Sequence, residues 1–301
     1  MPSSSGTDRR IAPRAGMALR RWLGPPLLQP ALAFYVLVFL VPLLGFSVAS
    51  VYTISHTGLF DPIFTLGNYR KFAADPFYLR ILWATFRISL EVTAVCLVLG
   101  YPVAFWLAGL RPGARKLLII LLFFPLLVST VIRVYGWMVI LGGRGMINNF
   151  LLRWGFIDAS LPLMYHEGTV LLGLVTILLP YMIVNITNVL VAIDPALREA
   201  AAIHGADARR VFLRVVLPLS RPGILSGCLL VFTIAMSAYI IQLFLGGPRV
   251  KMMGNLVFDS TTSFNWPFAA ALSVVLVAST LLAALAFIAL LGAERRPRWT
   301  R

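Results

Sequence analysis

The chain has 301 residues, of which 59% are hydrophobic and 12% charged. A soluble core of this length cannot hide so much apolar surface, which excludes an ordinary soluble globular protein. The net charge of +15 would suit a nucleic-acid binder, but the basic residues cluster between apolar runs rather than on one polar face or domain.

Residues 1–29 form a basic N-terminal segment with Arg9, Arg10, Arg14, Arg20 and Arg21, and its first part, to about Gly16, reads as disordered. The run 31–52 has no Lys, Arg, Asp or Glu and is longer than the apolar core of a cleavable signal, so it reads as an uncleaved first span. The run 88–110 carries Glu91, and the run 117–141 carries Arg133 near its far end. Runs 169–193, 223–246 and 267–293 are again free of all four charged residue types. A helix crossing the hydrocarbon needs about 20 largely apolar residues. Unpaired backbone is very costly in lipid, so all six runs are predicted helices despite their Gly and Pro residues. The predicted fold is therefore an all-α integral membrane protein: six transmembrane helices over 30–293, followed by a basic tail at 294–301.

The basic clusters alternate. Besides the N-terminal group, Arg111, Arg115 and Lys116 link the second and third runs. Arg198, Arg209, Arg210, Arg214 and Arg221 follow the fourth, and Arg295, Arg296, Arg298 and Arg301 follow the sixth. The other links hold most of the loop acids, including Asp61, Asp75, Asp158, Glu167 and Asp259. The positive-inside rule then places both termini in the cytoplasm.

The link 194–220 is long, basic and rich in helix formers. Asp194 followed by Pro195 is a helix start, Gly205 breaks that helix, and Asp207 caps a second one. In the second, Val211, Phe212, Val215 and Val216 share a face turned from Arg209, Arg210 and Arg214, and Pro218 is predicted to stop it before the fifth span. Two short helices around a glycine fit a DNA-reading motif by geometry, which the flanking spans exclude. Two roles stay open: an interfacial helix among anionic headgroups, and a dock for a cytoplasmic partner.

Within this link, Glu199-Ala200-Ala201, then Gly205, then Val215-Val216-Leu217-Pro218 resembles the EAA signature of binding-protein-dependent ABC transporter permeases, with Val215 in place of the usual Ile. Phe124-Pro125-Leu126, Arg133-Val134-Tyr135-Gly136-Trp137, Gly145-Met146-Ile147-Asn148-Asn149 and Asn265-Trp266-Pro267-Phe268 look like the spermidine/putrescine-type subfamily. The resemblance implies a subunit of a bacterial inner-membrane importer, with the 194–220 loop inserting as a coupling helix into a groove on a separate ATPase. Glu199, Ala200, Ala201, Gly205, Leu217 and Pro218 would couple to that ATPase. It further implies an ATPase dimer holding ATP and Mg, a second permease of a different chain, and a periplasmic or lipid-anchored binding protein that delivers a polyamine.

The chain itself offers no catalytic set. No G-x-x-x-x-G-K-[ST] loop is present to cradle a phosphate, no G-x-S-x-G elbow frames a nucleophile, and no cofactor site is expected. His56, His166 and His204 stand far apart with no companion Cys, so no metal site is predicted. Cys96 and Cys228 fall inside spans and read as buried apolar residues rather than a disulfide.

Intramembrane polar groups are costly and mark pathways by default. Candidate path residues are Glu91, Tyr135, Trp137, Asn185, Tyr239, Gln242 and Asp259, each with a plainer reading. Glu91 follows Arg87 by four residues and suits a helix ion pair. Asn185 suits a bond between helices, and the aromatics suit an interfacial belt. Ser237-Ala238-Tyr239 occupies the place where polyamine permeases often carry Gly-Glu-Phe, which leaves another small organic solute or ion open as cargo. A secondary transporter would need a coupling carboxylate at midplane, for which only Glu91 stands, and a membrane scaffold is the remaining class.

Overall fold

A computed structural model describes residues 29–55 and 61–292. The basic N-terminal cluster, His56 and the C-terminal arginines lie outside the described residues. The chain divides into two units at Ala49–Ser50. The first contains α1, Gln29–Ala49, an uncharged helix that continues through Pro42. Its 21 residues give about 30 Å of helix, the thickness of the hydrocarbon.

The second unit opens with a two-stranded antiparallel hairpin, β1 at Tyr52–Thr53 and β2 at Asp61–Phe64, with Tyr52 opposite Phe64. Asn68 on α2, Gly67–Ala74, holds it by donating to the carbonyls of Ser50 and Tyr52, both at 3.0 Å. This hairpin is the one departure from the predicted all-helical architecture among the described residues.

Helix α3, Pro76–Ala108, begins at Pro76 rather than at residue 88. Asp75 caps it, accepting from the Phe77 N–H at 2.8 Å, and Pro76 pre-sets the first turn. The third predicted span is not one helix. It comprises α4, Pro112–Phe123, a 3-10 turn Phe124–Leu127, and α5, Thr130–Leu141, with α6, Met146–Arg153, beyond. The two halves meet at 84°. Pro125 lacks the N–H that would continue the ladder, and Val128 and Ser129 leave the helical region altogether.

Helix α7, Glu167–Ala192, matches the fourth predicted span, and α8, Pro195–Ile203, lies in the following link. The fifth span differs most. Helix α9 runs from Ala208 to Ser237, so Pro218 does not stop it. A π turn at Phe212–Val216 explains the passage: the Leu217 N–H reaches back to the Phe212 carbonyl, widening the ladder ahead of the proline ring. The helix ends instead at Ala238, whose backbone is extended, and Gln242–Gly246 resumes as a second π turn. Asp259 lies on α10, Met253–Thr262, a separate helix before α11, Trp266–Gly292.

The core is built on α3, α7 and α9. Ile88, Val92 and Cys96 of α3, Leu178, Met182 and Ile186 of α7, and Cys228, Val231 and Ala235 of α9 are all buried together. Both cysteines are free. Close approach depends on small residues: a Cβ on Gly223 would lie 2.9 Å from the Val189 Cβ and 3.2 Å from the Asn185 carbonyl oxygen. At the other end of α3, Phe72, Ile81, Met253, Leu256, Phe268 and Leu272 form a smaller core. The buried Thr85 hydroxyl ties it down by accepting from the Met253 N–H at 2.9 Å.

Candidate functional site

Two regions carry the residues singled out from sequence. The first is the link between α7 and α9. Asp194 caps α8 by accepting from the Ala196 N–H at 2.9 Å, and Asp207 caps α9 by accepting from the Arg210 N–H at 2.9 Å. Between them Gly205 takes φ +78, the left-handed conformation that lets the chain reverse sharply. The Ala206 N–H then returns to the Ala201 carbonyl at 3.1 Å and closes the helix end.

Helix α8 presents Ala196, Glu199, Ala200 and Ile203 outward, Ile203 with 84% of its surface free. Glu199 makes no ion pair among the described residues. Among the described residues, Glu199 thus stands without an ion pair beside small side chains and an open isoleucine on one exposed face. Val211, Phe212, Val215 and Val216 turn inward while Arg209, Arg210 and Arg214 are exposed, the division anticipated from their spacing. Leu217 and Pro218 are half-buried within the continuous α9 and do not share the α8 face.

The second region lies where the broken third and fifth spans meet. A cavity of about 200 Å³ is lined by Thr130 at the start of α5, Leu174 and Ile177 of α7, and Ser237, Ala238 and Tyr239 at the end of α9. Irregular backbone at membrane depth is tolerated where it lines a cavity or is buried in protein, so two breaks at one cavity mark a pathway candidate. The end of α9 also aims its last carbonyls, and the negative end of its dipole, toward the break. Tyr239 stacks on Phe258, with ring centroids 5.3 Å apart, and Tyr135 leans on Phe244 at 5.4 Å.

Of the seven predicted path residues, Tyr239 lines the cavity, and Tyr135 and the half-buried Trp137 stand on the helix that Thr130 begins. The others point elsewhere. Gln242 is fully buried, its Nε2 directed at the Met252 sulfur. Asn185 donates to the Tyr181 carbonyl one turn back, at 2.8 Å. Glu91 pairs with Arg87 at 3.7 Å, and Arg87 also pairs with Glu167 at the start of α7. Asp259 pairs with Lys251 at 3.1 Å. Among the described residues no carboxylate lines the cavity.

Thr130 and Ser237 were not among the predicted path residues, because an isolated hydroxyl in an apolar run gives no signal until a helix break places it. Asn148 was noted only as part of a motif. It is fully buried on α6, donating to the Gly142 and Leu161 carbonyls at 3.1 and 2.9 Å and accepting from the Leu161 N–H at 2.8 Å. Among the described residues no three His, Cys, Asp or Glu side chains converge to hold a metal.

Residues 97–296 match the family described as binding-protein-dependent transport system inner membrane component. The spermidine/putrescine transport system permease protein PotB of Escherichia coli is 39% identical over 215 residues, covering 71% of this chain and 78% of that protein. PotB of Haemophilus influenzae is 36% identical over 261 residues, covering 86% and 90%. In three dimensions, a bacterial ABC transporter involved in the import of the acidic polysaccharide alginate aligns with a TM-score of 0.67. It covers 93% of this chain and 99% of its own at 16% identity, a likeness of fold.

Proposed function

We propose that this chain, which belongs to the family of binding-protein-dependent transport system inner membrane components, forms half of the translocation path of an ATP-driven polyamine importer. It is a multi-pass inner-membrane component and not an enzyme. In this reading a second, different permease chain supplies the other half, and ATP and Mg are held by a separate ATPase dimer. A periplasmic or lipid-anchored protein delivers the solute. The domain spans 30–293, with both termini cytoplasmic on the charge distribution.

One observation carries the coupling assignment: α8 is a short capped helix with Glu199, Ala200 and Ile203 open and a left-handed Gly205 at its end. Supported by the sequence resemblance, Glu199, Ala200, Ala201 and Gly205 form the ATPase contact. Leu217 and Pro218 act differently from the rest, as part of the helix that carries movement into the membrane. The cavity at the two breaks is the segment of path this chain contributes.

The polyamine cargo rests on the identity to PotB over most of the chain. Cation passage is then favoured by hydroxyls and by the carbonyl end of α9, with carboxylates supplied by the partner permease. That no carboxylate among the described residues lines the cavity favours a second reading, the same machinery importing another small organic solute or ion. A secondary transporter is disfavoured because Glu91 is already tied to Arg87.

The test is binding-protein-dependent stimulation of ATP hydrolysis in liposomes containing the co-purified complex, measured against polyamines and neutral or anionic solutes. Stimulation by polyamines alone supports the cargo assignment. Stimulation by neutral or anionic solutes alone overturns it, and uptake by this chain in an ion gradient without an ATPase overturns the importer reading itself.

A further inference from the structure

The backbone joins α8 to the spans through two non-helical joints. On one side Ile193 and Asp194 are extended, with ψ of 120 and 123, and on the other the chain passes through His204, Gly205 and Ala206 before Asp207 starts α9. A helix held only by such joints would swivel when its outer face is pushed, and the push would not reach the membrane. Side-chain contacts must stiffen the arrangement if α8 is to transmit anything.

Those contacts form one continuous chain. The Arg198 guanidinium lies 5.8 Å over the Phe105 ring near the end of α3, within the range of a cation–π contact. Its Nε is buried and makes no hydrogen bond, and Arg198 makes no ion pair among the described residues. The guanidinium is thus committed to the ring rather than to a carboxylate. Phe105 meets Phe212 edge to face at 5.5 Å and 87°, and Phe212 meets Tyr101 in the same way at 5.8 Å and 81°. The Tyr101 hydroxyl closes the chain on the buried Ser220 of α9, 2.9 Å away.

We infer that Arg198, Phe105, Phe212, Tyr101 and Ser220 form a latch that locks α8 to α3 and α9, making the three helices move as one body. The inference rests on the coupling role proposed for α8. Phe105 and Arg198 are positioning residues, since each is engaged in the contact between helices, and Arg198 is half-buried where Glu199 and Ile203 are open. Helix α9 is continuous over 30 residues from Ala208 to Ser237, so a tilt applied at Phe212 arrives at the cavity about 40 Å away.

The experiment measures solute imported per ATP hydrolysed by the full complex with its ATPase, partner permease and binding protein. Phe105→Leu keeps apolar volume but removes the ring face. Arg198→Gln removes the cation from a half-buried site on which the core does not depend. Both are expected to bind the ATPase normally and hydrolyse ATP while the import ratio falls about tenfold, within the range usual for coupling between linked sites. Phe105→Tyr and Arg198→Lys, which preserve ring and charge, are expected to restore the ratio, and the double variant should be no worse than either single one.

An unchanged ratio in Phe105→Leu and Arg198→Gln overturns the latch. So does loss of ATPase association in either, because the latch transmits and does not dock. A Glu199→Gln, Gly205→Asp complex assayed alongside separates the two ideas: if that variant retains its ATPase and its uptake, the coupling role of α8 has failed and not the latch alone.

Discussion

Gly205 allows backbone strain and partner contact to be told apart. It holds φ +78, and a Cβ built on it meets nothing within 4 Å. Alanine there therefore costs conformational energy while its methyl group clashes with nothing among the described residues. For alanine the penalty of the left-handed region is about 1–2 kcal/mol. Asparagine enters that region more readily than alanine, so Gly205→Asn should cost the fold less than Gly205→Ala. The order reverses if a groove on another subunit closes over this turn, because asparagine is the larger intruder. Thermal unfolding of the isolated chain in detergent is expected to rank Gly205 above Asn and Asn above Ala. Binding-protein-stimulated ATP hydrolysis by the assembled complex is expected to rank Gly205 above Ala and Ala above Asn, with Gly205→Asp as low as Asn or lower. A penalty of about 1–2 kcal/mol shifts a local equilibrium by a factor of about 5–30, which is too little to unfold a chain held by three packed spans. If both assays give the same order, the turn matters only for its conformation, and no partner contacts it.

Glu91→Gln should leave polyamine-stimulated hydrolysis within about twofold of the wild-type value, since its exposed pair with Arg87 contributes about 0–1 kcal/mol. A large loss of transport with normal assembly would return Glu91 to the path. Asn148→Ala leaves the Leu161 N–H and two carbonyls without their partner, and an unsatisfied buried group costs about 1–3 kcal/mol. Limited proteolysis between residues 142 and 166 should therefore accelerate in Asn148→Ala before the whole chain unfolds. At the helix crossings, Gly223→Ala should destabilise more than Gly227→Ala. The first meets a branched Val189 Cβ and a backbone carbonyl, while the second meets the movable Met182 sulfur at 2.7 Å. The cost expected for overpacking at Gly223 is about 1–3 kcal/mol, read from thermal unfolding in detergent.

The spans were legible because their signal is bulk: an uncharged run long enough to cross lipid has few other structures open to it, and α1, α7 and α11 fall within a few residues of the predicted runs. The caps of α8 and α9 were legible too, since Asp194 and Asp207 act on their own next turn. The breaks were hidden for the opposite reason. Pro125 and Pro218 look alike in sequence, each a proline in an apolar stretch, yet one marks a bend of 84° and the other is absorbed by a π turn. Which outcome a proline takes depends on whether neighbouring backbone can relax, and that is set by packing. Gln242 shows the same limit. Its polarity suggested the path, but the π turn Gln242–Gly246 rotates it toward Met252 instead. Asp75 was noted only for its charge, and its role as the cap that starts α3 at Pro76 lay outside the apolar run that defined the span.

Charge decides what can cross. A polycation entering a low-dielectric path needs counter-charge, and the two candidate carboxylates of this chain are already paired, Glu91 with Arg87 and Asp259 with Lys251. What remains at the cavity is the carbonyl end of α9, whose dipole favours a cation by about 0.3–1 kcal/mol in exposed settings and more where water is excluded. Ala238 lines the cavity at that end with φ −66 and ψ 137, a backbone that any L residue adopts, so a larger residue there imposes no backbone strain. Ala238→Glu places a carboxylate beside the carbonyl end, where the two repel one another until a cation arrives. In a polyamine path the arriving ammonium relieves that repulsion, and the variant should retain stimulated transport with a lower half-saturating polyamine concentration. In a path for a neutral or anionic solute nothing relieves it, and Ala238→Glu should transport poorly at any concentration. Loss of transport in a complex that still assembles and hydrolyses ATP would therefore refute the polyamine assignment while leaving the proposed coupling of α8 to an ATPase untouched.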